Sequence, residues 1–143
     1  MRYMIMFRAD RDAEDAAPAC MVLPEMQRFI GELRRDGVLV ATEGLKPSHT
    51  GAARLRFSGG KVSVTDGPFT EAKELVAGFA LVEVPSKEEA IEWAKRWPPL
   101  DGNGEVELEI RQLYEAEDFA EADPSGELRA AEERLRERVS GRR

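Results

Sequence analysis

The chain has 143 residues, with 28 acidic and 21 basic side chains, one His, one Cys and a net charge of −7. This length fits one domain with a short extension, and it allows a core to form without disulfides or metals. One Cys excludes an internal disulfide, and one His with one Cys cannot build a usual structural zinc site, so we expect neither metal nor cofactor. The acidic balance argues against nucleic-acid binding, since phosphate contacts need a concentrated basic surface.

The first nine residues predict a strand with two apolar faces. Its side chains alternate, with Tyr3, Ile5 and Phe7 on one face and Met4 and Met6 on the other. This apolar run is too short for the core of a signal peptide or for a membrane span. We therefore expect a cytoplasmic protein with no membrane partner, in which both faces of this strand are covered.

An amphipathic helix is predicted after the acidic loop 10–19. Its apolar positions recur at helical spacing: Val22, Met26, Phe29, Ile30 and Leu33. Pro24 suits the first turn, where a missing N–H costs nothing. Arg34 and Arg35 complement the helix dipole in the last turn, and Gly37 suits a left-handed cap.

Residues 38–42 predict a short strand, and residues 54–57 and 61–64 predict a hairpin that turns at Gly59-Gly60. The hairpin has only one apolar face, so we expect it to be more exposed than the first strand. In the turn at residues 66–69, glycine is expected to supply a positive φ.

Residues 76–84 predict another strand with two apolar faces. Ser86 and Glu89 have the spacing of a capping box, which opens a helix that Pro98-Pro99 ends. This helix is expected to turn four side chains inward: Ala90, Ile91, Ala94 and Trp97. Residues 105–113 predict a last strand, with Val106, Leu108 and Ile110 buried and Glu105, Glu107 and Glu109 facing water or a basic partner.

With the hairpin set aside, the element order is βαββαβ. This order predicts an α+β, ferredoxin-like fold with an inserted β-hairpin, in a domain over residues 1–114. Both helices cover one face of the antiparallel sheet. The other face is also apolar, and pairing with a second copy of the chain is the simplest way to bury it. We therefore expect a homodimer packed sheet to sheet.

Residues 115–143 predict an acidic linker followed by a helix from about Pro124 to Val139. A narrow apolar stripe marks one side of that helix: Leu128, Ala131, Leu135 and Val139. The helix either packs lightly on its own domain or forms an arm that reaches the dimer partner.

The polar cluster best suited to catalysis or binding is residues 66–74, Asp-Gly-Pro-Phe-Thr-Glu-Ala-Lys-Glu. A carboxylate held beside Lys73 can act as a general base, which makes Asp66 and Lys73 candidate catalytic residues. Alternatively, these residues have only a structural role, in which Asp66 caps backbone N–H groups of the turn and the Phe69 side chain packs into the core. The candidate substrate-binding residues are Glu43, Phe69, Glu71 and Glu74.

Two further side chains could take part in chemistry. His49 is either a proton shuttle or a solvated loop residue. Cys20, near the start of the first helix, is either a reactive thiol or a small buried apolar side chain.

The same polar cluster resembles the DGPF-motif branch of the YCII-related proteins, whose signature is Asp-Gly-Pro-Phe-x-Glu-x-Lys-Glu. Seven residues match it: Asp66, Gly67, Pro68, Phe69, Glu71, Lys73 and Glu74. Ala72 stands where the branch usually has Thr. Residues 1–4, 37–40, 43–47 and 84–85 are also similar to the family, and the resemblance covers about residues 1–113.

The resemblance implies a dimeric α+β barrel. It also implies enzymatic activity through a His–Asp pair in a cleft, for which Asp66 matches the acid. The chain's His49 lies outside the first strand–helix region, where such a pair would take its His. Members of this branch often lie beside sigma-factor genes in bacteria, which implies a regulatory or accessory role.

Three functions therefore compete. The first is a dimeric barrel protein that binds a small molecule in a cleft lined by Glu43, Asp66, Lys73 and Glu74. The second is an enzyme in which Asp66 is the base and Lys73 its charge partner. The third is a protein–protein interaction module that uses the C-terminal tail.

Overall fold

The computed structural model of the protein describes residues 1–9, 23–69, 75–98 and 107–141. Its contacts divide the chain into two compact units, Met1–Gln112 and Leu113–Arg143. The described elements of the first unit are β1 (Arg2–Ala9), α1 (Pro24–Arg35), β2 (Leu39–Gly44), β3 (Ala53–Ser58), β4 (Lys61–Asp66), β5 (Leu75–Glu83), α2 (Lys87–Ala94) and β6 (Glu107–Gln112).

The main sheet is antiparallel and has the strand order β2-β5-β1-β6. The first and third strands of the βαββαβ order therefore lie side by side at its centre. This α+β arrangement is consistent with the predicted ferredoxin-like fold. The remaining two strands, β3 and β4, pair only with each other as a separate ribbon.

The core lies between the main sheet and the two helices. One face of β1 contributes Tyr3, Ile5 and Phe7, all at most 3% exposed. The helices contribute the buried side chains of Met26, Phe29, Leu33, Ala90, Trp93 and Ala94. The alternation of β1 and the helical spacing of α1 are thus confirmed.

The second helix differs in part from its prediction. The Ser86 hydroxyl accepts a hydrogen bond from the Glu89 backbone N–H at 3.2 Å, so the predicted cap is present. Trp93 is buried, whereas Ile91 is only half-buried. Because α2 ends at Ala94, the half-buried Trp97 packs from beyond the helix end.

The sheet face opposite the helices is apolar at its centre and charged at one edge. Across the ladder, Met4 pairs with Leu81 and Met6 with Phe79, and all four side chains are half-buried. At the β6 edge, the Arg8 guanidinium lies 4.0 Å from the Glu107 carboxylate and 3.5 Å from that of Glu109. Arg8 is thus a basic partner for these two glutamates, as the strand pattern allowed.

The β3–β4 ribbon turns at Gly59 and Gly60, whose φ angles of +57° and +74° are those of a tight hairpin turn. All of its residues are exposed. The opposed pairs Leu55–Val64 and Phe57–Val62 make one face of the ribbon apolar.

The second unit contains a 3₁₀ helix at Ala116–Phe119 and the helix α3 at Glu127–Ser140. The apolar side chains of α3 are exposed, with Leu128, Leu135 and Val139 each more than half accessible. Within the described ranges, no helix has the length and apolar character that crossing a membrane requires.

Candidate functional site

A cavity of about 200 Å³ lies where α1 meets the ends of β2 and β5. Six apolar residues form most of its wall: Phe7, Met26, Ile30, Ala77, Phe79 and Trp97. Four polar residues complete it: Gln27, Arg34, Thr42 and Glu43. Apolar walls with a few polar groups are typical of small-molecule sites.

A pair of glycines helps to leave this space open. Gly44 of β2 lies directly opposite Gly78 of β5, and both line the cavity. A Cβ atom added at Gly78 would stand 3.0 Å from the Glu43 carbonyl oxygen, which is tighter than ordinary packing allows. A side chain at this position would therefore press on β2.

Aromatic packing positions the Trp97 wall. The Trp97 ring stacks on Phe7 at 6.2 Å between centroids and with 27° between the ring planes. It also meets the Phe29 ring at 5.7 Å in a tilted arrangement. Contacts on two sides hold the indole at the cavity although α2 has already ended.

Two charged residues of opposite sign, Arg34 and Glu43, line the cavity, and both are exposed. Over the described residues, neither Arg34 nor Glu43 forms an ion pair. The neighbouring Arg35 guanidinium, by contrast, lies 3.7 Å from the Asp36 carboxylate. The Thr42 hydroxyl donates to the Phe79 carbonyl oxygen at 2.9 Å, which uses its one proton inside the sheet.

The predicted site residues are only partly brought together. Glu43 lines the cavity. Asp66 ends β4 in an exposed position opposite Ala53, and it is absent from the described lining. Glu71, Lys73 and Glu74 lie outside the described residues, as does Cys20. The catalytic pair of Asp66 and Lys73, like the docking role of the tail, stays a prediction.

The described part of the DGPF motif has a structural role. The Gly67 N–H donates to the Ala52 carbonyl at 2.9 Å, and the Phe69 N–H donates to the Ser48 hydroxyl at 3.4 Å. These bonds join the end of β4 to the loop before β3. Gly67 lacks the positive φ expected from sequence, and its need for glycine comes from a close approach to Ser48 instead.

One detail of the structural alternative was wrong. Phe69 does not plug the core, since it is half-buried with the Arg54 guanidinium 4.0 Å above its ring. In the portion of the chain that the structure describes, the Asp66 carboxylate caps no backbone N–H, and residues 70–74 lie outside that portion, so its capping role stays a prediction. His49 lies in the loop, where its Nδ1 is 3.3 Å from the exposed Thr50 hydroxyl.

Sequence reasoning missed Arg34 as a site residue because a cation in the last turn of a helix has an ordinary electrostatic explanation. A signal was nevertheless present. Gln27, Ile30 and Arg34 fall at positions i, i+3 and i+7, so they share one helical face beside the apolar stripe. Among the described residues, no group of three or more His, Cys, Asp or Glu side chains could hold a metal ion.

Residues 1–113 match the family described as YCII-related domain. A stretch of 46 residues, 32% of this chain, is 48% identical to an uncharacterized protein of Rhizobium meliloti (strain 1021), and it spans 37% of that relative's length. A solved structure of the 5-chloro-2-hydroxyhydroquinone dehydrochlorinase TftG from Burkholderia phenoliruptrix AC1100, in complex with 2,5-dihydroxybenzoquinone, is also similar. That likeness covers 82% of this chain and 98% of the other, with 13% identity and a TM-score of 0.43.

Proposed function

The chain belongs to the YCII-related family, and from that premise we propose that it binds a small molecule in the cavity beside Trp97. The observation that carries this proposal is the cavity itself, with its apolar wall and few polar groups. The Gly44–Gly78 pair adds support, because a Cβ atom at Gly78 would stand 3.0 Å from the Glu43 carbonyl oxygen of β2.

We assign the protein to the DGPF-motif branch on its residues 66–74, and we propose a regulatory or accessory role in the bacterial cytoplasm. The Gly67 contact with Ser48 supports a structural use for the first part of that motif. Glu43 is the predicted binding residue that our proposal retains at the cavity.

Ligand binding can be tested by following the Trp97 side-chain resonances during titration with small aromatic compounds. Gln27→Trp places a bulky ring at an exposed lining position without entering the core, so it should abolish the shifts. Arg28→Trp, at an exposed helical position outside the cavity lining, is the matched control and should leave them unchanged. Shifts that survive Gln27→Trp would contradict the proposal.

We also propose that two copies pair through the open sheet face, as in a dimeric α+β barrel. The half-buried pairs Met4–Leu81 and Met6–Phe79 supply an apolar centre that a second copy would cover. Met6→Asp should therefore reduce the mass measured by light scattering from two chains to one. Val62→Asp, on the exposed hairpin, should leave the mass unchanged. A wild-type mass of one chain at micromolar concentration would overturn the dimer.

A further inference from the structure

We infer that the cavity holds a single aromatic ring whose hydroxyl or amino group donates a hydrogen bond to the Thr42 hydroxyl oxygen. This inference rests on the proposed function, because it takes the cavity beside Trp97 as the binding site. It goes further, since it assigns a chemical class to the ligand and names the side chain that recognises it.

The strand register places the Thr42 side chain on the sheet face that the helices cover. Thr42 pairs with Ala80, and Ala80 pairs in turn with Ile5, a fully buried residue of the core between sheet and helices. Residues directly opposed on neighbouring strands project from the same face of a sheet. Thr42 therefore projects toward the helices, and it lines the cavity in a half-buried position.

The next row of residues on the same face leaves room for a ring. Gly44 follows Thr42 by two residues on β2, so both belong to one face, and it pairs with Gly78. Gly78 pairs on its other side with Phe7. No side chain rises from either glycine, so the cavity is open above them, with Thr42 and Phe7 both at its wall.

The hydrogen bond of Thr42 decides what this residue can offer a ligand. Its hydroxyl donates to the Phe79 carbonyl oxygen at 2.9 Å, and a carbonyl can only accept, so the single hydroxyl proton is used. Among the described residues, none donates a hydrogen bond to the Thr42 oxygen in return. A ligand therefore meets an acceptor at this point of the cavity and must bring the donor.

Thr42 is also the polar residue of the described lining that is best shielded from water. The other three are exposed: Gln27, Arg34 and Glu43. A hydrogen bond is electrostatically stronger where water is excluded. The half-buried hydroxyl therefore contributes more to the selection of a ligand than the exposed groups do.

The size and the walls of the cavity define the body that carries the donor. An apolar cavity of about 150 Å³ takes up benzene. The volume of about 200 Å³ found here is enough for one ring with a small substituent. Phe7, Met26 and Ala77 are buried residues of the wall, and the Trp97 ring stacks on Phe7. Two aromatic rings at the wall favour stacked or edge-to-face contacts with a third.

Phenol and toluene test the donor, because the two molecules have nearly the same shape and differ in a hydroxyl against a methyl group. Titration of the Trp97 side-chain resonances gives a dissociation constant for each. Thr42→Val keeps the shape of the residue but removes its oxygen, so it should weaken phenol binding about fivefold to tenfold relative to toluene. Thr42→Ser keeps the acceptor and should preserve the wild-type ratio.

Two controls and one measurement without a variant complete the test. Thr65→Val makes the same chemical change at an exposed position of β4 outside the described lining, so it should leave the ratio unchanged. Cyclohexanol carries its hydroxyl on a ring that is not aromatic, and it should bind about threefold to tenfold more weakly than phenol. In the wild-type protein, nuclear Overhauser contacts from bound phenol should reach the Thr42 methyl group.

The outcomes separate this inference from the proposed function. A phenol-to-toluene ratio that Thr42→Val leaves unchanged, or bound phenol without contact to the Thr42 methyl group, would overturn the role of Thr42 while leaving a binding cavity. Equal affinity for phenol and cyclohexanol would overturn the aromatic class. Absence of any Trp97 shift with all three probes would contradict both the inference and the proposed function.

Discussion

Gly67 lies so close to Ser48 that a Cβ atom added to it would stand 1.9 Å from the Ser48 carbonyl oxygen. No side chain fits that gap unless one of the two segments moves. The Phe69 N–H bond to the Ser48 hydroxyl holds the same two segments together. The motif needs glycine at position 67 because the backbone there lies in contact with the backbone of Ser48.

Gly67→Ala should lower the free energy of unfolding by about 2 kcal/mol, because the end of β4 must shift away from Ser48. Urea denaturation followed by circular dichroism measures this change. Gly31→Ala is the matched control, since it lies inside α1 with no atom within 4 Å of the added Cβ. There the substitution should raise stability by about 0.5–1 kcal/mol, as for glycine in a helix interior. Equal stability of Gly67→Ala and wild type would refute the contact.

Local sequence signals predicted the elements well because short-range physics determines them. The two-residue Gly59-Gly60 turn has positive φ at both positions, and Ser86 caps α2 as its spacing indicated. These features depend on residues that are close in sequence. Glu43 could be proposed as a site residue because it follows a predicted strand.

The cavity could not be predicted in the same way. It depends on Gly44 meeting Gly78 across two strands, and no local pattern specifies that register. Arg34 had an adequate explanation as a cation at a helix end. The contact between Gly67 and Ser48 is also long-range, so the motif suggested a turn residue where the structure has a close approach.

The cap of α2 offers a second stability prediction. Ser86→Ala removes the acceptor of the Glu89 N–H bond, which is 3.2 Å long, and should lower the free energy of unfolding by about 1 kcal/mol. Ser86→Asp keeps an acceptor at the N-cap and should retain most of that stability. If the Asp variant is as unstable as the Ala variant, the hydrogen bond is not the source of the effect.

The role of Gly78, which lines the cavity, can be tested directly. Gly78→Ala places a Cβ atom 3.0 Å from the Glu43 carbonyl, so β2 must yield or separate locally from β5. We expect the variant to unfold at a lower urea concentration than the wild type. We also expect the substitution to speed up amide hydrogen exchange more at Glu43 and Leu45 than at Tyr3. The Leu45 N–H is a suitable reporter because it donates to the Ala77 carbonyl at 2.8 Å. Unchanged exchange at these amides would show that the approach is tolerated.

Within the second unit, Asp123 makes the start of α3 sensitive to acid. Its buried carboxylate accepts a 3.0 Å hydrogen bond from the Arg129 backbone N–H, and the Arg129 side chain adds a further contact at 3.4 Å. The backbone bond from Arg129 lowers the pKa of Asp123 below its usual 3.8, and this outweighs the opposing effect of burial.

Because the folded-state pKa is depressed, the stabilising contribution of Asp123 is fully present above pH 3.8 and is lost as pH falls through the lower, folded-state pKa. The Arg129 amide resonance should therefore titrate with a midpoint below 3.8. Asp123→Asn should remove that titration, because an amide carries no ionisable proton in this range. Glu121→Gln, at an exposed position, should leave it in place. An Arg129 midpoint at or above 3.8, or one that persists in Asp123→Asn, would show that this carboxylate does not hold the start of the helix.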